Sequence, residues 1–241
     1  MCLLVLLYQT IPEFPLIIAA NRDEDPDRGG DPPGLWPDGI VGPRDPRSGG
    51  TWIGVNARRV VSAVTNRQGP PAIGPQIKSR GTLPLEALKE QSAFLAHRRA
   101  ERIPTFLFSP FHWIYADREH AYAMEHGGPS DFTVRLRPGL HILSNVHDLN
   151  QANSGNVADF LRFDSDKPDV DNLWTKLSDL LGCHRPLLSE SHEICKHKGI
   201  PRTLSASIIA IHRSDEKKNR WLYHEGTPCA NRWKDMSDLL V

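Results

Sequence analysis

Cys2 stands directly behind Met1, ahead of the apolar run Leu3-Leu4-Val5-Leu6-Leu7. Methionine aminopeptidases remove Met1 when the next side chain is small, and Cys qualifies. Cys2 then carries a thiol and a free α-amine on one residue. A thiol attacks a carbonyl as thiolate, from an ordinary pKa of about 8.5. An α-amine titrates at about 7.7–8.0, so near neutrality much of it can accept a proton. Nucleophile and base are then tethered a few bonds apart, which is the logic of an N-terminal nucleophile. Two other readings compete: a buried strand thiol, and the start of a secretory signal.

Such a nucleophile needs groups that orient the amine, stabilise the thiolate and hold an oxyanion. The segment Ala20-Asn21-Arg22-Asp23-Glu24 supplies two of them. Arg22 can stabilise a thiolate, and Asp23 can hold the α-ammonium. Charge pattern alone reads equally as a solvated polar strand end. A second chemistry-bearing stretch, CHRPLLSESHEICKH, carries Cys183, His184, His192, Cys195 and His197. It lacks the paired Cys-x₂₋₄-Cys and His-x₃₋₅-His spacings of zinc sites. The expectation there is a polar loop, no metal and no cofactor.

These residues require particular elements to position them. The signal reading fails: no Lys or Arg precedes Arg22, and the apolar run breaks at Tyr8-Gln9-Thr10-Ile11-Pro12. A second run, FPLIIAA, follows. Two short apolar runs split by a Pro-containing turn predict a β-hairpin, with strands over about 2–8 and 15–21. Antiparallel pairing brings the end of the second strand, with its Asn-Arg-Asp-Glu, alongside Cys2.

Residues 25–50 are rich in Gly and Pro and read as one long loop. TWIGVN and VVSAVTN predict a second hairpin, and LPLEALKEQSAFLAHRRAERI a single helix with Leu85, Leu88 and Leu95 at helical spacing. TFLFS, HWIYAD, HAYAM, FTVRL and HILSN predict a strand meander, with helices over about 156–163 and 171–181. TLSASIIAIH and RWLYHEG close the chain as a strand pair. Strands and helices are segregated with no βαβ rhythm, which predicts an α+β fold of mainly antiparallel sheets in one domain over 1–241.

The charges balance, 29 Lys+Arg against 29 Asp+Glu, so nothing global attracts nucleic acid. No apolar run approaches the roughly 18 residues of a membrane helix. Four scattered cysteines are not a disulfide framework; together with the missing signal they point to a reducing, cytoplasmic location. Oligomeric state is not legible.

The Met-Cys start, Asn21-Arg22-Asp23-Glu24, the run Gly49-Gly50-Thr51-Trp52-Ile53-Gly54-Val55-Asn56, Val64-Thr65-Asn66, Ser79-Arg80-Gly81, Leu143-Ser144-Asn145 and Gly199-Ile200-Pro201-Arg202-Thr203 together resemble the NRDE family, also called the transport and Golgi organization protein 2 family. That family resembles the Cys branch of the N-terminal nucleophile hydrolases, which includes penicillin V acylase and conjugated bile acid hydrolase. The resemblance implies a four-layer αββα sandwich and hydrolysis of a non-peptide carbon–nitrogen bond through a thioester acyl-enzyme. It places the nucleophile at Cys2, an oxyanion-hole asparagine at Asn66, a further active-site asparagine at Asn145 and a late active-site arginine at Arg202. Arg22 and Asp23 complete the expected catalytic set. Asn21, Trp36 and Arg80 are expected to bind a small-molecule amide or lipid-like ligand. The acylase branch reads Arg-Asn-x-Asp at the end of strand two; here Ala20 holds that arginine position, and Arg22 lies on the next pleat of the same face. The family is also linked to lipid, acyl-CoA and haem handling, which implies a non-catalytic ligand carrier as the alternative.

Overall fold

A computed structural model describes residues 2–240 except 129–130, 152–153, 162–169, 186, 188–192 and 231, and not the side chains of 154 and 155. In chain order the strands begin with β1 (Leu3–Tyr8), β2 (Leu16–Glu24), β3 (Asp31–Leu35), β4 (Val41–Arg44), β5 (Ile53–Val55) and β6 (Val61–Asn66). Helices α1 (Thr82–Leu88) and α2 (Ala93–Ala100) follow, then β7 (Phe111–Ala116), β8 (Ala121–His126), β9 (Phe132–Arg135) and β10 (Gly139–Ser144). Helices α3 (Ser154–Phe160) and α4 (Val170–Leu181) precede β11 (Arg202–Ile211), β12 (Arg220–Glu225) and β13 (Lys234–Asp235).

The chain divides into two compact units. One comprises Met1–Asp27 and Pro138–Leu239, the other Arg28–Arg137. The first holds an antiparallel sheet in the order β10-β1-β2-β11-β12-β13. The expected hairpin is there, with Leu4 opposite Ala20 and Tyr8 opposite Leu16. Alternation sends Leu3, Val5, Leu7, Ile17, Ala19, Ala206, Ile208 and Ala210 to one face. There they meet Leu173, Leu177, Leu180 and Leu181, one stripe of α4. Removing such apolar area from water is the main favourable term, about 25 cal/mol per Å².

The second unit holds the antiparallel sheet β3-β4-β5-β6-β7-β8-β9. One face of β7 and β8, with Phe111, Trp113, Tyr115, Tyr122 and Met124, packs on α1 and α2. Three expectations are corrected here. The single helix over 83–103 is two helices. Ser92 caps the second by accepting from Leu95 N–H at 3.2 Å, and the Asp117 carboxylate takes the Ala93 N–H at 2.7 Å. With the new cap the inner face becomes Ala93, Ala96 and Ala100, and Leu95 turns outward. The 25–50 segment is not all loop: it contains the β3–β4 hairpin, whose irregular register between Asp31 and Gly34 suits an edge strand carrying Pro32 and Pro33. TFLFS is no strand; Thr105–Leu107 turn as a 3₁₀ helix with Phe106 exposed. Among the described residues no helix is long and apolar enough to cross a membrane.

Candidate active site

The first unit carries a row of residues across its sheet. Arg22 faces Ser205, and Ser205 faces Glu225. Extending the β1–β2 register by two positions sets Cys2 opposite Arg22. Extending the β1–β10 register by one sets Cys2 opposite Asn145. A bond from Asn145 N–H to the Cys2 carbonyl at 3.3 Å agrees with that register. Cross-strand neighbours in one row share a face, so Cys2 lies between an amide on one side and a guanidinium on the other.

Cys2 is buried, and its sulfur sits on the Asp23 peptide. The Asp23 N–H points at Sγ at 3.3 Å, and the Asp23 carbonyl accepts from the thiol at 3.4 Å. The first contact favours a thiolate and the second the neutral thiol, because each hydrogen bond stabilises the form that makes it. The Asp23 side chain is 3% exposed, and its Oδ1 accepts from the Thr203 hydroxyl at 2.7 Å. Thr203 is the cross-strand partner of Asp23, at a bulge between Thr203 and Ser205. Bulges of this kind re-aim a side chain. Thr203 Oγ1 also accepts from Lys196 N–H at 2.9 Å, so the carboxylate is fixed through a chain of two bonds.

Arg22 is buried, with Nη2 4.0 Å from Glu24 Oε2. Glu24 faces Arg202 across β2 and β11, and Arg202 is exposed. The two arginines expected at the site therefore flank one carboxylate. Asn21 points the other way. Its Nδ2 donates to the Leu181 carbonyl at 2.9 Å and the Ile194 carbonyl at 3.0 Å, stitching β2 to the end of α4. Both Nδ2 protons are committed to the backbone, which suits a positioning residue, while Asn21 Oδ1 is buried with no hydrogen-bond partner among the described residues. The Asn145 Oδ1 is buried with no hydrogen-bond partner among the described residues, an acceptor available to an amine or a ligand.

Asn66, Trp36 and Arg80 belong to the second unit. Asn66 ends β6, exposed, opposite Phe111. The Trp36 indole N–H donates to the Gly42 carbonyl at 2.9 Å, and the Arg44 guanidinium lies 5.4 Å from its ring centre. Arg80 donates to the Pro110 carbonyl at 2.9 Å. The Gly-Gly-Thr-Trp and Ser-Arg-Gly segments meet backbone to backbone. Thr51 N–H donates to the Gly81 carbonyl, and a Cβ at Gly50 would lie 2.5 Å from Gly81 C and O. Glycine at 50 is needed for that approach.

Thr203, Ser205 and Tyr223 were not singled out in the sequence. Thr203 closes the segment Gly199-Ile200-Pro201-Arg202-Thr203, so its place beside Arg202 was the available signal. Ser205 and Tyr223 sit inside apolar strands and give none. Burial pushes the Tyr223 phenol up against the opposing influence of the Ser205 hydroxyl and the Arg22 charge, so it stays a neutral donor beside Arg22. The same unit also gathers His184, Cys195, His197 and Cys229, with potential ligand atoms within 4.8 Å of one another.

A family model described as Transport and Golgi organisation 2 matches residues 1–224. The Transport and Golgi organization protein 2 homolog of Homo sapiens is 28% identical over a 161-residue alignment that covers 61% of this chain. The match spans only 57% of that relative's length. Among solved structures, a Caenorhabditis elegans N-acylethanolamine-hydrolyzing acid amidase ortholog matches with TM-score 0.56 and 11% identity, covering 86% of this chain and 92% of that one. A cysteine-to-alanine mutant of conjugated bile acid hydrolase from Clostridium perfringens matches with TM-score 0.55 and 11% identity, covering 99% and 93%. At such identity the likeness shows the fold alone: α+β, mainly antiparallel, of the N-terminal nucleophile hydrolase type.

Proposed function

The chain belongs to the Transport and Golgi organisation 2 family, and from that premise we propose that it is an N-terminal-cysteine hydrolase of a small-molecule amide. The observation that carries this reading is the Asp23 N–H held 3.3 Å from the Cys2 sulfur, with Asn145 N–H on the Cys2 carbonyl. After removal of Met1, the Cys2 thiol gives its proton to its own α-amine, and Sγ attacks the substrate carbonyl. The tetrahedral oxyanion takes hydrogen bonds from backbone N–H groups. The C–N bond breaks, the leaving amine takes the proton from the α-ammonium, and a thioester remains. Water attacks the thioester, the α-amine takes the water proton, and the acid leaves with the thiol restored. Asp23, fixed by Thr203, holds the α-ammonium, and Asn145 Oδ1 positions that amine or the substrate N–H. Arg22 and Arg202 favour the thiolate or bind substrate charge.

The solved neighbours are described as hydrolases of N-acylethanolamines and conjugated bile acids. They support a substrate with an apolar acyl group joined by an amide to a small polar amine. Intact mass and acyl-enzyme trapping test the proposal. Expected are loss of Met1 and a thioester adduct mapped to Cys2, absent in Cys2→Ala. Retained Met1, or adducts at Cys183, Cys195 or Cys229 in place of Cys2, would sink it. The pairing of Arg22 with Glu24 favours one second reading, a ligand carrier, because that carboxylate draws on the charge a thiolate needs. Full ligand affinity in Cys2→Ala with no turnover by the unmutated chain would support the carrier.

A further inference from the structure

We propose that His184, Cys195, His197 and Cys229 form a four-ligand zinc site that ties the connection between α4 and β11 to the turn after β12. One potential ligand atom from each residue lies within 4.8 Å of those of the other three. Tetrahedral zinc, with bonds of about 2.0 Å to nitrogen and 2.3 Å to sulfur, sets its ligand atoms roughly 3.3–3.8 Å apart. Modest side-chain rotation closes the set around one ion. Two thiols and two imidazoles are a soft-to-borderline donor set, which selects zinc over calcium or magnesium. With two thiolates and two neutral imidazoles, a dication leaves the site uncharged, and binding releases the two thiol protons.

The surroundings are built for these roles. The His184 Nδ1 lies 3.1 Å from the Cys195 carbonyl. A carbonyl only accepts, so Nδ1 carries the proton and Nε2 keeps its lone pair for a metal, the usual outer-shell arrangement for a ligating histidine. Cys195 N–H donates to the Cys183 carbonyl at 3.0 Å, which holds the two sides of the connection together. His197 Nε2 lies 3.1 Å from Cys229 Sγ, and the two histidine rings are 5.0 Å apart at their centres. Gly182 lets the turn carrying Cys229 approach: a Cβ there would sit 3.1 Å from Cys229 Cα. A cleft of about 650 Å³ lined by His184 and His197 leaves the cluster open to ions from solvent.

The sequence hid this set because its fourth member comes from 32 residues beyond His197. The proposed site departs from the polar loop without metal expected over Cys183–His197, and it does not use Cys183. His192 lies outside the described residues. All four coordination positions are filled by protein, which makes the site structural. It sits two hydrogen bonds from the active-site carboxylate: Lys196, next to Cys195, donates to Thr203, and Thr203 donates to Asp23.

The full chain, without a histidine tag and prepared with reductant, tests this by elemental analysis and cobalt reconstitution. Expected are about one zinc per chain, and on Co²⁺ addition intense tetrahedral d–d bands with a thiolate-to-cobalt charge-transfer band. C229S and H197A are expected to lose both, while C183S keeps both. Cys229 and His197 are exposed, so these variants remain folded readouts even if C195S is not. The proposal fails if C229S retains the zinc, if the cobalt spectrum lacks thiolate charge transfer, or if peptide mapping finds a Cys195–Cys229 disulfide in the reduced preparation.

Discussion

Asp23 and Thr203 face each other across β2 and β11, and the threonine hydroxyl donates to the buried carboxylate at 2.7 Å. A hydrogen bond to a charged group is worth about 1.5–3 kcal/mol. Thr203→Val keeps the shape and removes the donor, and it also takes away the acceptor used by Lys196 N–H. The expected loss of stability is about 2 kcal/mol by urea unfolding, with a fall in kcat larger than any rise in KM. Thr203→Ser should restore most of both. A Thr203→Val protein as stable and as active as the original would remove Asp23 anchoring from the account.

Asn21 was expected at the substrate, and its geometry points to a different effect. Its amide satisfies the carbonyls of Leu181 and Ile194, both inside the unit. Asn21→Leu leaves two buried acceptors unpaired, at about 1–3 kcal/mol each. Chemical denaturation should show a loss of about 2–4 kcal/mol, with the KM of any turnover by the remaining folded protein unchanged. A variant of full stability with a raised KM would return Asn21 to substrate binding.

What the sequence revealed, and what it withheld, follows from the range of the interactions. The β1–β2 hairpin is legible because both strands are local apolar runs split by a turn, and its register alone carries Arg22 to Cys2. Asn145 and Thr203 reach the same place through strand pairings more than 140 residues away in the chain, which no spacing rule encodes. The pairing of α4 with the sheet is legible from one leucine stripe. The break at Ser92 is not, because a serine inside a helical pattern becomes a cap only when Asp117, from another turn, takes the next N–H. The Cys/His cluster is the extreme case, since Cys229 joins it from beyond β12.

Asp45, with Glu86 and Asp131, should make the second unit acid-sensitive. Burial alone would raise the Asp45 carboxyl. The Arg28 guanidinium, the Ser48 hydroxyl and the Arg47 N–H outweigh that and hold it below the usual carboxylate range. A carboxyl with a lower pKa folded than unfolded adds stability that is fully present above its unfolded value of about 3.9. That contribution is lost as pH falls through the lower folded value. The stability difference between the unmutated chain and Asp45→Asn should therefore be constant above about pH 5 and shrink below pH 4. A difference that grows on acidification would contradict it.

The charge around Cys2 offers the sharpest test of turnover. Arg22 lies opposite Cys2 by register, while Glu24 sits 4.0 Å from the same guanidinium. If Arg22 sets the thiolate fraction, its removal and the removal of its carboxylate partner must act in opposite directions. Arg22→Gln takes a positive charge from beside the sulfur and should slow alkylation of Cys2 by iodoacetamide at neutral pH roughly tenfold, the size of about 1.4 kcal/mol. Glu24→Gln removes a carboxylate that offsets the guanidinium charge and should speed alkylation by a few-fold, less because Glu24 is partly solvated and screened. The thiolate, not the thiol, is what the reagent reads, so the rate reports charge at the sulfur directly. Peptide mapping keeps the reading on Cys2 rather than on the exposed Cys229. Equal rates in both variants would mean that the displaced arginine no longer serves the nucleophile, and the peptide N–H of Asp23 would then carry thiolate stabilisation alone.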